Sequence, residues 1–246
     1  MPDRMGYRAK WGLIVPERNT VCESEMHAAV PAGISINTAR IQRDQAPTWS
    51  TDAEFRQMAQ GVRSGEPGAL AALMPAEPDY YIVGDGGFTI GRDQHETIAA
   101  GYDALTGKDV ATSARAFLKA LDTMGVRRLA VLTPRLPASG VVSGGLWEEC
   151  GYSVSGAHGL DCGSAFEIVN TSEADLRSAL ATLCATDAEV VLATGSNIFL
   201  MRLAESAERE LGKPILHINT VLLWYALRQN GFADRIPGCG RLLREY

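Results

Sequence analysis

The chain has 246 residues, 46% of them hydrophobic, and a formal net charge of −6. That apolar share supplies a sizeable globular core, and an acidic balance without a basic cluster excludes nucleic acid and anionic membrane surfaces as expected partners. The charged opening from Met1 to Lys10 and the lack of an apolar run of about 20 residues set the expectation of a cytoplasmic protein with no membrane span.

In chain order the apolar, β-branched runs predict strands over 8–16, 34–42, 79–84, 127–133, 152–158, 189–194 and 214–218. Helical patterns lie near 20–30, 52–75, 93–106, 111–125, 139–150, 172–186, 198–212 and 220–230. Thr20 with Glu23, Thr51 with Glu54, and Ser172 with Asp175 have capping-box spacing or its Asp variant. Ser64-Gly65-Glu66-Pro67-Gly68 is expected to break the 52–75 helix, because Gly and Pro together rarely sit inside one. Strand alternating with helix implies crossover connections and a mostly parallel sheet.

A weak internal repeat runs through this pattern. Pro78 to Phe88 reads against Ala188 to Ile198, Gly12 to Pro16 against Ala130 to Pro134, and Gly33 to Asp44 loosely against Gly151 to Cys162. Two copies of one α/β unit follow, with the C-terminal strand ends meeting at a shared cleft, where open α/β sheets bind ligands. The expected fold is two pseudo-symmetric, Rossmann-like α/β lobes. The first is expected to take residues 1–108 plus 214–246, the last strand and helix returning to complete it, and the second residues 109–213.

The matched loops carry the candidate chemistry. Asp85-Gly86-Gly87-Phe88 and Gly195-Ser196-Asn197 place small residues and successive N–H groups where an anion can be held. Neither is a GxGxxG or Walker pattern, so no nucleotide is indicated. Asp85 can act as general acid or base, burial being what brings a carboxyl group into the working range, or it can cap the next helix. Thr194 and Ser196 offer hydroxyls as ligands or nucleophiles. Asn19 or Thr20 can cap the helix after the first strand, and Asn19 can equally donate to a substrate carboxylate. Arg18, Arg92, Arg135 and Arg202 lie just beyond strand ends as possible carboxylate clamps. His217 can face the cleft, while His27 and His95 read as surface residues. The five cysteines (Cys22, Cys150, Cys162, Cys184 and Cys239) form no CxxC pair and the four histidines no HxxxH pair, which indicates reduced, mostly buried thiols and no metal.

Trp11-Gly12-Leu13-Ile14-Val15-Pro16-Glu17-Arg18-Asn19-Thr20 resembles the opening motif of maleate cis–trans isomerases and arylmalonate decarboxylases, in the aspartate/glutamate racemase superfamily. Pro237-Gly238-Cys239-Gly240-Arg241-Leu242 is similar to the ending of the same group. The resemblance implies two facing lobes, no cofactor, and a small carboxylate substrate bound between them. It also places family cysteines after the third strand of each lobe, where this chain has Asp85 and Gly195, or Thr194 with a one-residue shift. Both thiols are missing, as is the family tyrosine after Thr133-Pro134, where Arg135 stands. Cys162 falls in a region that resembles part of the family pocket and is the one thiol to suspect there.

The function expected is therefore a cofactor-independent isomerase- or decarboxylase-like enzyme on a small carboxylate, working without cysteine. The alternatives are a hydrolase or lyase using Asp85 and water, and a non-catalytic binder of small acids. Besides the substrate, the expected partners are further copies of the chain, as a homo-oligomer.

Overall fold

The computed structural model describes residues 3–43, 48–86, 90–134 and 145–246. Gly87, Phe88 and Arg135, three of the expected site residues, lie outside the described residues. Two four-stranded parallel sheets form the frame. The first has the order β2-β1-β3-β4, from β1 (Ala9–Pro16), β2 (Ile34–Ile41), β3 (Tyr80–Val83) and β4 (Val110–Ala111). The second repeats it as β6-β5-β7-β8, from β5 (Arg128–Thr133), β6 (Ser153–Gly159), β7 (Val190–Ala193) and β8 (Ile215–His217).

Side chains on a strand alternate between faces, and here both faces are buried. Leu13 and Val15 join the central core while Ile14 enters an outer one. Leu129 and Val131 likewise join the central core, with Ala130 and Leu132 on the outer side. The central core is shared by both sheets and by α4 (Ser113–Met124) and α9 (Ile218–Gln229), which pack on one another. Phe117, Trp147 and Trp224 fill it, with Trp11 beside them. The first outer core lies under α2 (Asp52–Leu73) and α3 (Arg92–Thr106). The second lies under α7 (Glu173–Cys184) and α8 (Met201–Leu211). Among the described residues, no helix is long and apolar enough to cross a membrane.

Several expectations need correction. The strand at 214–218 does not return to the first lobe: β8 pairs in parallel with β7, Val191 opposite Ile215. The following α9 reaches across, onto α1 (Cys22–Ala29), α4, β3 and β4. Val110 and Ala111 pair with Tyr81 and Ile82, so the first sheet extends past residue 108 by a strand too short to leave a sequence pattern. Thr51 with Glu54 forms the full capping box, and Ser172 caps through the Asp175 N–H. Thr20 caps nothing; Asn19 takes that role, its Oδ1 accepting from the Val21 and Cys22 N–H groups.

The break at 64–68 is also absent, for α2 runs unbroken through Pro67. Its inner face, with Val62, Ala69, Leu70 and Leu73, is buried, and that packing overrides local propensity. Pro67 sits on the exposed face, where a carbonyl released from helical bonding can meet water. Gly65 is there for closeness: a Cβ on it would lie 2.6 Å from the Gln42 carbonyl oxygen. At Gly68 a Cβ would meet nothing within 4 Å. Both replacements by alanine gain helix propensity, worth about 1 kcal/mol. Urea unfolding is expected to show Gly68→Ala stabilised by roughly 0.5–1 kcal/mol and Gly65→Ala destabilised despite the same gain.

Candidate active site

The C-terminal ends of β1, β3, β5 and β7 converge on a cavity of about 110 Å³. Asn19, Asp85 and Gly86 wall it from the first half, and Thr133, Pro134 and Thr194 to Asn197 from the second. The matched loops touch here. A Cβ on Gly86 would stand 2.6 Å from the Thr194 carbonyl oxygen, so only glycine permits this approach. A Cβ on Gly195 would meet Ile198 at 2.8 Å and Pro134 at 3.0 Å. A side chain at this second position, where the family resemblance places a cysteine, would have to displace the Ile198 side chain.

Buried polar bonds tie the loop after β1 to the loop after β7. Asn19 Nδ2 donates to Ser196 Oγ at 2.9 Å, and the Thr20 N–H to Asn197 Oδ1 at 3.0 Å. Asn197 Nδ2 donates in turn to the Ala165 carbonyl, so both ends of that amide hold the scaffold. Asn219 Nδ2 donates to the Ser196 carbonyl and to Glu25 Oε2. Glu25 Oε1 accepts from the Leu200 and Met201 N–H groups at the start of α8, where a carboxylate suits the positive helix end.

Ser196 thus accepts from Asn19 and keeps its own hydroxyl hydrogen for a ligand. Thr194 donates to the Leu132 carbonyl at 3.3 Å, which leaves its oxygen as an acceptor. The Asp85 backbone is fixed by Ser113 Oγ, which donates to its carbonyl. His217 does not face the cleft. It is fully buried behind the Gly195 loop, Nε2 3.3 Å from the Gly195 carbonyl oxygen and Nδ1 3.5 Å from Glu25 Oε2. Burial pushes its pKa down against the pull of Glu25.

Two features escaped sequence reading, although the first lies just past the end of β2. Arg43, its side chain 4% exposed, lines the cavity. Its Nε donates to Glu17 at 2.6 Å, while buried Nη1 has no partner among the described residues. A buried guanidinium nitrogen with nothing to bind is costly unless a ligand supplies the acceptor. Of the arginines expected as clamps, Arg18 lines the cavity half-exposed, whereas Arg92 and Arg202 are exposed and away from it. The second feature is an apolar wall. Trp49, Phe55, Met58, Val62 and Ile168 form it, with Trp49 and Phe55 edge-to-face at 5.3 Å. Trp49 is carried across by its own N–H to the Gly163 carbonyl and its indole N–H to the Cys162 carbonyl.

That backbone bond is the contribution of Cys162. Its thiol is buried in the second outer core, 3.7 Å from Thr171 Oγ1, and burial raises its pKa. Cys22 is fully buried at the start of α1, and burial raises it too, the nearby Glu25 charge adding to the effect. Neither thiol wall is exposed to the cavity, and both groups are held as thiols. Thiolates, not thiols, are the nucleophiles.

A family model described as arylmalonate decarboxylase matches residues 86–243. The chain belongs to the arylmalonate decarboxylase family. A maleate isomerase of Nocardia farcinica is 27% identical over 251 residues, spanning 98% of this chain and 97% of that one. Solved structures reproduce the arylmalonate decarboxylase-family fold. Pseudomonas putida maleate isomerase with maleate superposes with a TM-score of 0.85 at 18% identity, covering 96% of this chain and 97% of that one. A Nocardia farcinica maleate cis–trans isomerase mutant with a covalently bound succinylcysteine intermediate gives 0.83 at 22%, covering 97% and 99%. At these identities the structural likeness carries the fold alone, and family membership makes this chain an isomerase- or decarboxylase-like enzyme.

Asn19 separates scaffold from ligand binding. Asn19→Ala removes the α1 cap and the bridge to Ser196 and is expected to cost about 1–3 kcal/mol in urea unfolding. Asn19→Asp keeps the cap but puts a negative charge in the anion wall. It should lose less stability than Asn19→Ala, because the cap is kept, while KM rises roughly tenfold or more, since like charges side by side cost several kcal/mol.

Proposed function

We propose that this enzyme moves a proton at the carbon next to a small carboxylate, as an isomerase or decarboxylase, with Asp85 as proton carrier and with neither a cofactor nor a cysteine. The observation that carries this reading is the juxtaposition of Asp85 and the unpartnered Arg43 Nη1 on one cavity that no thiol lines among the described residues. Arg43 Nη1 and the Ser196 hydroxyl hold the carboxylate that stays. The apolar wall around Trp49 takes the rest of the acid, which favours substrates with an apolar substituent.

In the decarboxylation form, a second carboxylate lies against that wall, poorly solvated. Its C–C bond breaks, CO₂ leaves, and the electron pair passes onto the retained carboxylate as an enolate. Arg43 and Ser196 stabilise the growing oxygen charge, the usual role of fixed donors in such a site. Asp85 then gives its proton to carbon. In the isomerisation form, Asp85 takes a proton from a water whose oxygen adds to one carbon of the double bond, and the electron pair passes onto the carboxylate at the other carbon. The bond between them turns as a single bond, and the water leaves with the proton that Asp85 returns. Thiolate addition to a double bond, the other route to cis–trans exchange, lacks its nucleophile here.

Turnover on maleate and on malonates bearing alkyl or aryl groups, followed for three proteins, checks the reading. Asp85→Asn is expected to lose roughly 10²–10⁴-fold in kcat with little change in KM. Arg43→Gln is expected to weaken substrate binding about 10–100-fold, the worth of a charge-assisted hydrogen bond. Alkylation of the wild-type thiols should leave turnover in place. A wild-type rate in Asp85→Asn contradicts the assignment.

A further inference from the structure

Behind the substrate cavity lies a second, smaller one of about 30 Å³, room for one water molecule. Asp85 belongs to the walls of both. One face of α2 serves both as well: Phe55, Met58, Ala59 and Val62 line the first, and Glu66, one turn on, lines the second. Glu66 is 3% exposed, and Tyr102 of α3 donates its hydroxyl to Glu66 Oε2. The other polar groups on this wall are Arg63 of α2, His95 of α3, Thr112 and Ser113. Thr112 Oγ1 is buried without a partner among the described residues. Burial, then the Arg63 charge, pushes His95 down to about 4, so its ring is neutral. Burial, then the Asp85 charge, pushes Glu66 up to about 8, and at neutral pH it keeps its proton. Two carboxyl groups on one desolvated space do not both ionise.

We infer that Glu66 and Asp85 share one proton across the small cavity, through a water held between them and Thr112, and that Glu66 is a positioning residue that restores the proton of Asp85. The inference rests on Asp85 as proton carrier. The proton rests on Glu66; it passes to the water as the water passes one of its own to Asp85, and Asp85 gives that proton to the substrate carbon. Glu66 is left ionised and takes a proton from solvent. In decarboxylation that is the one proton the reaction consumes.

Full-length wild type, Glu66→Gln, Tyr102→Phe and Asp85→Asn supply the test. Glu66→Gln keeps the size of the side chain and an acceptor for Tyr102 but holds no transferable proton. Infrared titration of the free protein from about pH 5 to about pH 9, the span of a perturbed carboxyl group, needs no substrate. Wild type should show a protonated-carboxyl band that disappears near pH 8. The band should be absent in Glu66→Gln and should shift to lower pH in Asp85→Asn. In kinetics, Glu66→Gln should lose about tenfold in kcat at unchanged KM, below the full loss of a proton-transfer group. Its alkaline limb should move to lower pH, and Tyr102→Phe, which removes a bond to the ionised form, should move that limb upward. A folded Glu66→Gln with the wild-type rate and limb, or a Glu66 ionised at neutral pH, overturns the inference and leaves Asp85 standing. A wild-type rate in Asp85→Asn overturns the reading of Asp85 itself, whatever the infrared titration shows.

Discussion

The buried carboxylate of Glu25 is the contact on which the site's geometry depends. It is 4% exposed and among the described residues pairs with no lysine or arginine, yet it accepts from the Leu200 and Met201 N–H groups and from Asn219. Those donors all belong to the second half, whereas Glu25 sits on α1 of the first. Burying an ion is tolerable only when hydrogen bonds replace its water. The same Asn219 amide reaches the Ser196 carbonyl, and Ser196 Oγ receives Asn19. The loops after β1 and β7 are thereby tied into one rigid wall, and the cavity between the sheets keeps its shape without a ligand. Preorganised donors of this kind cost no rearrangement when charge develops on a substrate.

Within that wall the chain departs from a thiol design in composition at both matched strand ends. Asp85 stands at one of the two matched strand ends. At the other, the Ile198 and Pro134 side chains pack closely on Gly195. The Gly86 contact with the Thr194 carbonyl shows how closely the two ends approach. A small acid held there is flanked by one carboxyl group from the first half and by backbone and hydroxyl groups from the second. The site is one-sided in proton chemistry, which suits a single proton placed on a carbon more than an exchange between two opposed groups.

Much of this frame was legible in the sequence. Strand length and alternation placed seven strands, and the repeat between 78–88 and 188–198 carried the two-sheet arrangement, because both copies keep the same strand order. What escaped was set by contacts distant in the chain. Val110-Ala111 is a strand only because Tyr81 and Ile82 lie beside it. The α2 helix survives Gly65 and Pro67 because its apolar face is buried against β2. Arg43 looked like any other arginine until folding buried its guanidinium beside Glu17. Trp49, Phe55, Met58 and Val62 have the spacing of a core face, and nothing in that spacing distinguishes a core from a pocket wall. His95 read as a surface residue, but its ring lines the small cavity beside Glu66.

The central claim is that the family's chemistry proceeds here without a covalent thiol intermediate. In the Nocardia farcinica mutant the intermediate is a covalently bound succinylcysteine, so intact-protein mass spectrometry under turnover tests the difference directly. The protein is mixed with excess maleate or a substituted malonate, quenched by acid during steady state, and weighed, with peptide mapping of any adduct. The account predicts product formation with the protein at its unmodified mass. A substrate-mass adduct that forms at the rate of turnover and maps to Cys22, Cys162 or any other cysteine would contradict it.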